Sequence, residues 1–154
     1  MSACYVAVVG PSEASTEEMA RAETVGRLLG EAGAVVVCGG LGGVMAAAAR
    51  GAGSAGGTVV GLLPGTDRGE ANPHVTVAIA TGMGEMRNAL IVRAADVLVA
   101  VGGAYGTLSE IAFALRTGVP VVGIGTWDLD DVIDAPDPEA AVALALELAH
   151  GVSS

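Results

Sequence analysis

The chain has 154 residues, 52% hydrophobic but only 3% aromatic, enough for one domain that buries roughly 70% of its unfolded surface. No apolar run reaches ~18 residues without glycine or charge, which argues against a membrane span. Its formal charge is −10, with seven Arg and no Lys; that balance disfavours nucleic-acid polymers, which need a basic surface to displace counterions.

The absence of Lys removes two chemistries outright. A Walker A phosphate loop requires Lys, and so does the internal Schiff base of pyridoxal phosphate. The opening MSACYVAVVG lacks the basic region of a signal peptide and leads straight into a strand pattern, so a cytoplasmic protein is expected. Cys4 and Cys38 read as buried free thiols. With two distant His, no metal site assembles from recognised spacings, and no resident cofactor is expected.

Cys4 to Val9 reads as a first strand, ended by Gly10-Pro11-Ser12. Ser15 to Glu18 has capping-box spacing and opens a helix with apolar positions at Met19, Ala22, Val25, Leu28 and Leu29, stopped by Gly33. Ala34 to Cys38 is a second strand, apolar throughout as in a parallel sheet buried on both faces. A glycine turn, Gly39-Gly40-Leu41-Gly42-Gly43, then feeds a helix from Val44 to Ala52. Thr58 to Leu63 is strand three, Pro64 to His74 a polar loop, and Val75 to Ala80 strand four. Thr81 to Gly84 leads into a helix of about ten residues carrying Arg87, Asn88 and Arg93. Val97 to Val101 is strand five, followed by the turn Gly102-Gly103-Ala104-Tyr105-Gly106 and a helix from Thr107 or just after. Val119 to Ile124 is strand six, and Asp137-Pro138-Glu139 starts a last helix to Ala149.

Strands alternating with helices on short connections imply a single α/β domain over residues 1–154, a Rossmann-like, doubly wound parallel sheet. Ligands of such folds bind beyond the carboxyl ends of the strands, where the strand order reverses. The loops Gly10–Ser12, Gly39–Gly43, Thr81–Arg87 and Gly102–Thr107 would line that crevice. A strand entering a helix through glycines aims unpaired N–H groups and the positive end of the helix dipole at one point, which suits a phosphate. A tight turn that needs only permissive backbone angles is the alternative.

Two side chains near that point carry potential chemistry. Glu110 could act as a carboxylate beside the anion, or bond back to Thr107 in a capping box, since Thr107-x-x-Glu110 has the spacing. Arg87 falls in the first turn of its helix, where the dipole disfavours a cation by roughly 0.3–1 kcal/mol unless an anion or a carboxylate faces it. Tyr105 and Trp127 could stack on a base or pack an edge, with Tyr105 the better placed. The acidic run Asp128, Asp130, Asp131, Asp134 and Asp137 lacks calcium-loop spacing and reads as a solvated face. Gly51-Ala52-Gly53-Ser54-Ala55-Gly56 fits the dinucleotide fingerprint, yet it follows a helix and precedes a strand, the reverse of the working context.

Gly102-Gly103-Ala104-Tyr105-Gly106-Thr107-Leu108-Ser109-Glu110 resembles the PGGxGTxxE signature of the LONELY GUY proteins. Gly39-Gly40-Leu41-Gly42-Gly43-Val44-Met45, with Arg50-Gly51-Ala52 after it, is similar to their GGGxxGLM…GA segment, and Met83 to Asp96 is similar to their Arg-bearing helix. The resemblance spans nearly the whole chain. It implies a Rossmann-like fold, a homodimer or higher homo-oligomer, and hydrolysis of the N-glycosidic bond of a nucleoside 5′-monophosphate to free base and ribose 5-phosphate. It places Arg87 and Glu110 at the catalytic positions. The ligand and its phosphate would be held by Gly10, Ser12, Gly40, Gly43, Met45, Asn88, Gly102, Gly103, Ala104, Tyr105, Gly106 and Thr107. Gly102 stands where the signature has Pro, Ala104 where it has Gly, and Met86-Arg87-Asn88 where Glu-Arg-Lys is usual. These departures resemble the branch of the molybdenum cofactor carrier proteins, which bind a phosphorylated pterin without cleaving a nucleotide.

Overall fold

The structure, a computed structural model, describes residues 3–152. Met1 and Ser2 of the opening stretch, and the last two residues of the expected 1–154 domain, lie outside them.

Seven strands form one parallel sheet: β1 (Tyr5–Val9), β2 (Val35–Cys38), β3 (Val59–Leu63), β4 (Val77–Ala80), β5 (Val97–Val101), β6 (Val121–Ile124) and β7 (Val132–Asp134). Their order is β4-β3-β2-β1-β5-β6-β7. The chain builds outward from β1 to β4, crosses back, and resumes beside β1 with β5, paired Val6↔Val97 to Val9↔Ala100. The strand order therefore reverses between β1 and β5, as the doubly wound reading requires.

Side-chain alternation divides the core into two layers. Val6, Val8, Val36, Val97 and Val99 pack with helices α1 (Thr16–Glu31), α2 (Val44–Ser54) and α5 (Pro138–Val152). Ala7, Val9, Val37, Leu98 and Ala100 face the other way, onto α3 (Arg87–Arg93) and α4 (Tyr105–Arg116). All five residues of β5 are buried, which is why the central strand reads as a continuous apolar run rather than an alternating one. The Ser15–Glu18 capping box forms at the head of α1, with both reciprocal bonds present.

The G-x-G-x-x-G match sits in the last turns of α2 and the bend after it, away from any strand-to-helix turn. Of its glycines, Gly51 serves helix packing, since a Cβ there would collide with the carbonyl oxygen of Glu23 in α1, while Gly56 turns the chain away after the helix with φ of 74°.

Several boundaries differ from the sequence reading: β4 starts at Val77 rather than Val75, β6 at Val121 rather than Val119, and α2 and α5 run on to Ser54 and Val152. The segment after β4 is a short 3-10 turn, Gly84–Met86, entered through Gly82 and Gly84 with φ of 66° and 60° and followed by the seven-residue α3. Helix α4 begins at Tyr105, earlier than Thr107. Strand β7, inside the acidic run, was not anticipated. It is a three-residue edge strand paired Val121↔Val132 to Gly123↔Asp134, too short and too acidic to leave an apolar signature. The five aspartates of that run are all exposed. Of the two thiols, Cys38 is buried and Cys4 only half-buried, both free; Cys4 lies just outside β1 rather than within it.

Candidate functional site

At the switch point the carboxyl ends of β1 and β5 open on a cavity of about 300 Å³, at the small end of the roughly 300–1,000 Å³ usual for ligand clefts. Its floor is Val8 and Val9, and its rim comes from the turns after β1, β2, β3, β4 and β5. Close approach of these turns depends on Gly10. A Cβ there would collide with the carbonyl oxygen of Val101 and the side chain of Val44, so only glycine lets β1 turn away this near to β5.

Helix α4 presents its N-terminus to the cavity. The residue before the helix, Ala104, is extended (φ −127°, ψ 171°) and no side chain caps the first turn. Thr107 thus lies inside that turn and Glu110 farther along the helix, and the Thr107–Glu110 capping box does not form. Thr107 is 2% exposed, and its Oγ1 is buried without a hydrogen-bond partner. Such a hydroxyl is costly to leave unmade, about 1–3 kcal/mol. It lines the cavity beside Ala104 and Gly106.

Across the cavity Arg87, the first residue of α3, is 9% exposed. One guanidinium nitrogen donates to Asn88 Oδ1, the other to the carbonyl oxygen of Gly39 at 3.4 Å, and Nε is buried with no partner. Burial lowers the Arg87 pKa, while Glu110, Cys38 and Glu85 pull it back up. Glu110 is 8% exposed. Burial pushes its pKa up to about 7, and the nearby Arg87 charge opposes that rise. The two side chains share the cavity and feel each other's charge, but they are not among the direct ion pairs of the described residues. The acid and the guanidinium both face the cleft with hydrogen-bonding capacity to spare.

Of the residues singled out from sequence, the cavity brings together Gly10, Ser12, Met45, Arg87, Asn88, Ala104, Gly106, Thr107 and Glu110. Gly40, Gly43 and Gly102 do not line it; with φ of 78°, 64° and 74° they shape the turns behind it. Gly103 lies against the indole of Trp127. Tyr105 is 83% exposed and stacks on Trp127, ring centroids 6.1 Å apart, so its ring is turned away from the cavity rather than into it. Pro11, Gly39, Leu41 and Glu85 also line the cavity, from the loops that the sequence assigns to the crevice. Pro64 was not foreseen, because nothing in the sequence distinguishes the β3 turn from an ordinary polar loop.

Fold and cleft together define a Rossmann-like α/β protein with a ligand-sized crevice at its switch point. The chain belongs to the SLOG cluster4 family, whose model matches residues 3–149. A relative from Archaeoglobus fulgidus, an uncharacterized protein, is 45% identical over 124 residues, 80% of this chain and 82% of that one. The molybdenum cofactor binding protein of Rippkaea orientalis superposes with a TM-score of 0.91 at 33% identity, covering 96% of this chain and 98% of that one. The molybdenum cofactor carrier protein of Chlamydomonas reinhardtii gives 0.86 at 32%, with the same coverages. The likeness to LONELY GUY and carrier proteins read from the glycine motifs is thereby borne out. Among the described residues no helix is long and apolar enough to cross a membrane, and no group of three or more His, Cys, Asp or Glu is placed to hold a metal ion.

Proposed function

We propose that the protein binds a small phosphorylated ligand, a nucleoside monophosphate or a phosphorylated pterin, in the switch-point cavity, with the phosphate on the first turn of α4. The observation that carries this reading is the Thr107 hydroxyl, buried without a partner beside an uncapped helix N-terminus. A phosphate oxygen would accept from that hydroxyl and from the first-turn amides while the helix dipole stabilises its charge. Arg87, with Nε unsatisfied, would supply the cation that a chain of net charge −10 otherwise withholds. Similarity to molybdenum cofactor binding and carrier proteins supports carriage, in which the ligand is held and released unchanged.

A second reading, hydrolysis of the N-glycosidic bond of a nucleoside 5′-monophosphate, is favoured by the placement of Glu110 on the same cavity wall. Cleavage passes through a cationic sugar, which an ionised Glu110 would stabilise as water adds to C1′ and the base leaves with a proton. The two readings separate in one experiment. The protein is incubated with AMP, free adenine is followed by chromatography, and bound AMP by equilibrium dialysis. Adenine release that disappears in Glu110→Ala supports hydrolysis, and saturable binding with no adenine supports carriage. Absence of both AMP binding and adenine release, with neopterin 3′-phosphate and ribose 5-phosphate also unbound in the same dialysis, rejects the phosphate-ligand reading. Strand β4 is an edge strand whose Val77 and Ile79 stay exposed, which supports a second copy of the chain covering that edge in a homo-oligomer.

A further inference from the structure

Behind the wall formed by Glu110 and Asn88 lies a second cavity of about 200 Å³ between α3 and α4. Both residues line it as well as the first cavity. Glu85 also lines both; the rest of the lining is different in kind, with Met86, Ala89 and Phe113 giving apolar surface and Ser109 one hydroxyl. Alone it is smaller than the roughly 300–1,000 Å³ of a ligand cleft, so it reads as a side compartment of the phosphate cavity rather than an independent site.

The geometry points to this compartment as the seat of the flat heteroaromatic ring of the phosphorylated ligand, an inference that rests on the proposed phosphate site. Such a ring has apolar faces and polar edges. Phe113 and Ala89 offer faces, while Ser109, Asn88 and Glu110 offer edge partners at the rim. The Phe113 ring is itself held, with the Arg93 guanidinium 5.6 Å from its centroid. Met86 is 73% exposed, and its unbranched, polarizable thioether can fold over a ring without a fixed shape demand. The exposed Tyr105 is committed to Trp127 and lines neither cavity. With the phosphate on α4 and the ring between α3 and α4, Glu110 sits beside the link between them.

The test compares ligands with and without a ring. Ribose 5-phosphate is the ringless probe; AMP and neopterin 3′-phosphate are the ringed ones, and affinities are measured by calorimetry on the full chain. The unaltered protein should bind at least one ringed probe roughly tenfold or more above ribose 5-phosphate, the scale of one good stacking contact. Ala89→Phe, which fills the compartment, should erase that margin. Met86→Ala, an exposed change that leaves the fold intact, should reduce it several-fold. Ribose 5-phosphate affinity should hold within about twofold in both. A margin that survives both variants, or one absent from the unaltered protein, overturns the ring assignment and leaves the phosphate site standing. Failure of every probe, ribose 5-phosphate included, overturns the phosphate site and this inference with it.

Discussion

The indole Nε1 of Trp127 donates to the carbonyl oxygen of Ala104 at 3.0 Å. That same oxygen accepts the first backbone bond of α4, from the Leu108 amide at 2.9 Å. A residue on the loop after β6 thus fixes the entry to the helix whose N-terminus faces the cavity. Trp127→Phe keeps the ring and removes the donor. It should cost about 1 kcal/mol of stability, read as a lower urea midpoint, and should weaken ribose 5-phosphate binding by loosening the first turn.

Thr107 offers a sharper separation of stability from binding. Thr107→Val keeps the shape and removes a buried hydroxyl that has no partner in the free protein. The variant should be at least as stable as the parent, by up to about 1 kcal/mol. Phosphate-ligand affinity should fall several-fold. Equal losses of stability and affinity in calorimetry would contradict the assignment of Thr107 to the ligand.

Glu110 makes stability depend on pH in an unusual direction. Its folded-state pKa is raised from 4.5 to about 7, so between those values the folded chain binds the proton more tightly than the unfolded chain. Stability should therefore be highest below pH 4.5, as far as this group is concerned, and should fall as pH rises toward 7. Glu110→Gln removes the effect. The variant should match the parent in acid and exceed it by up to about 3 kcal/mol above neutrality, measured by urea unfolding at several pH values. If hydrolysis occurs, the parent's rate should rise with pH through about 7 as the carboxylate ionises.

Gly10 tests the scaffold rather than the ligand. In Gly10→Ala the added methyl meets the carbonyl oxygen of Val101, which is backbone and cannot rotate aside. A loss of at least about 1–3 kcal/mol is expected, seen as a fall in Tm of roughly 2–4 °C per kcal/mol for a chain this size.

Much of this molecule was legible in its residues. Continuous apolar runs such as Val97–Val101 marked strands buried on both faces, and glycine turns entering helices located the crevice. What escaped was set by tertiary contact. The start of α4 moved to Tyr105 with Ala104 ahead of it, its carbonyl held by a tryptophan 23 residues away, a partner no local pattern announces. Tyr105 stacks on the same indole, another contact across the chain. Strand β7 pairs only at the sheet edge and spans three residues, below the length at which alternation can be seen. The cleft's electrostatics were half visible. Arg87 and Glu110 stood out by type and spacing, but that both are buried and not joined in a direct ion pair is a property of the packing of α3 against α4.

The central claim, that the first turn of α4 holds a phosphate, is tested most directly by amide chemical shifts of the ¹⁵N-labelled protein titrated with ribose 5-phosphate. The account predicts saturable shifts largest at Tyr105, Gly106 and Thr107, with the affinity reduced several-fold in Thr107→Val. Saturable shifts centred elsewhere, or none at those three amides, would contradict it.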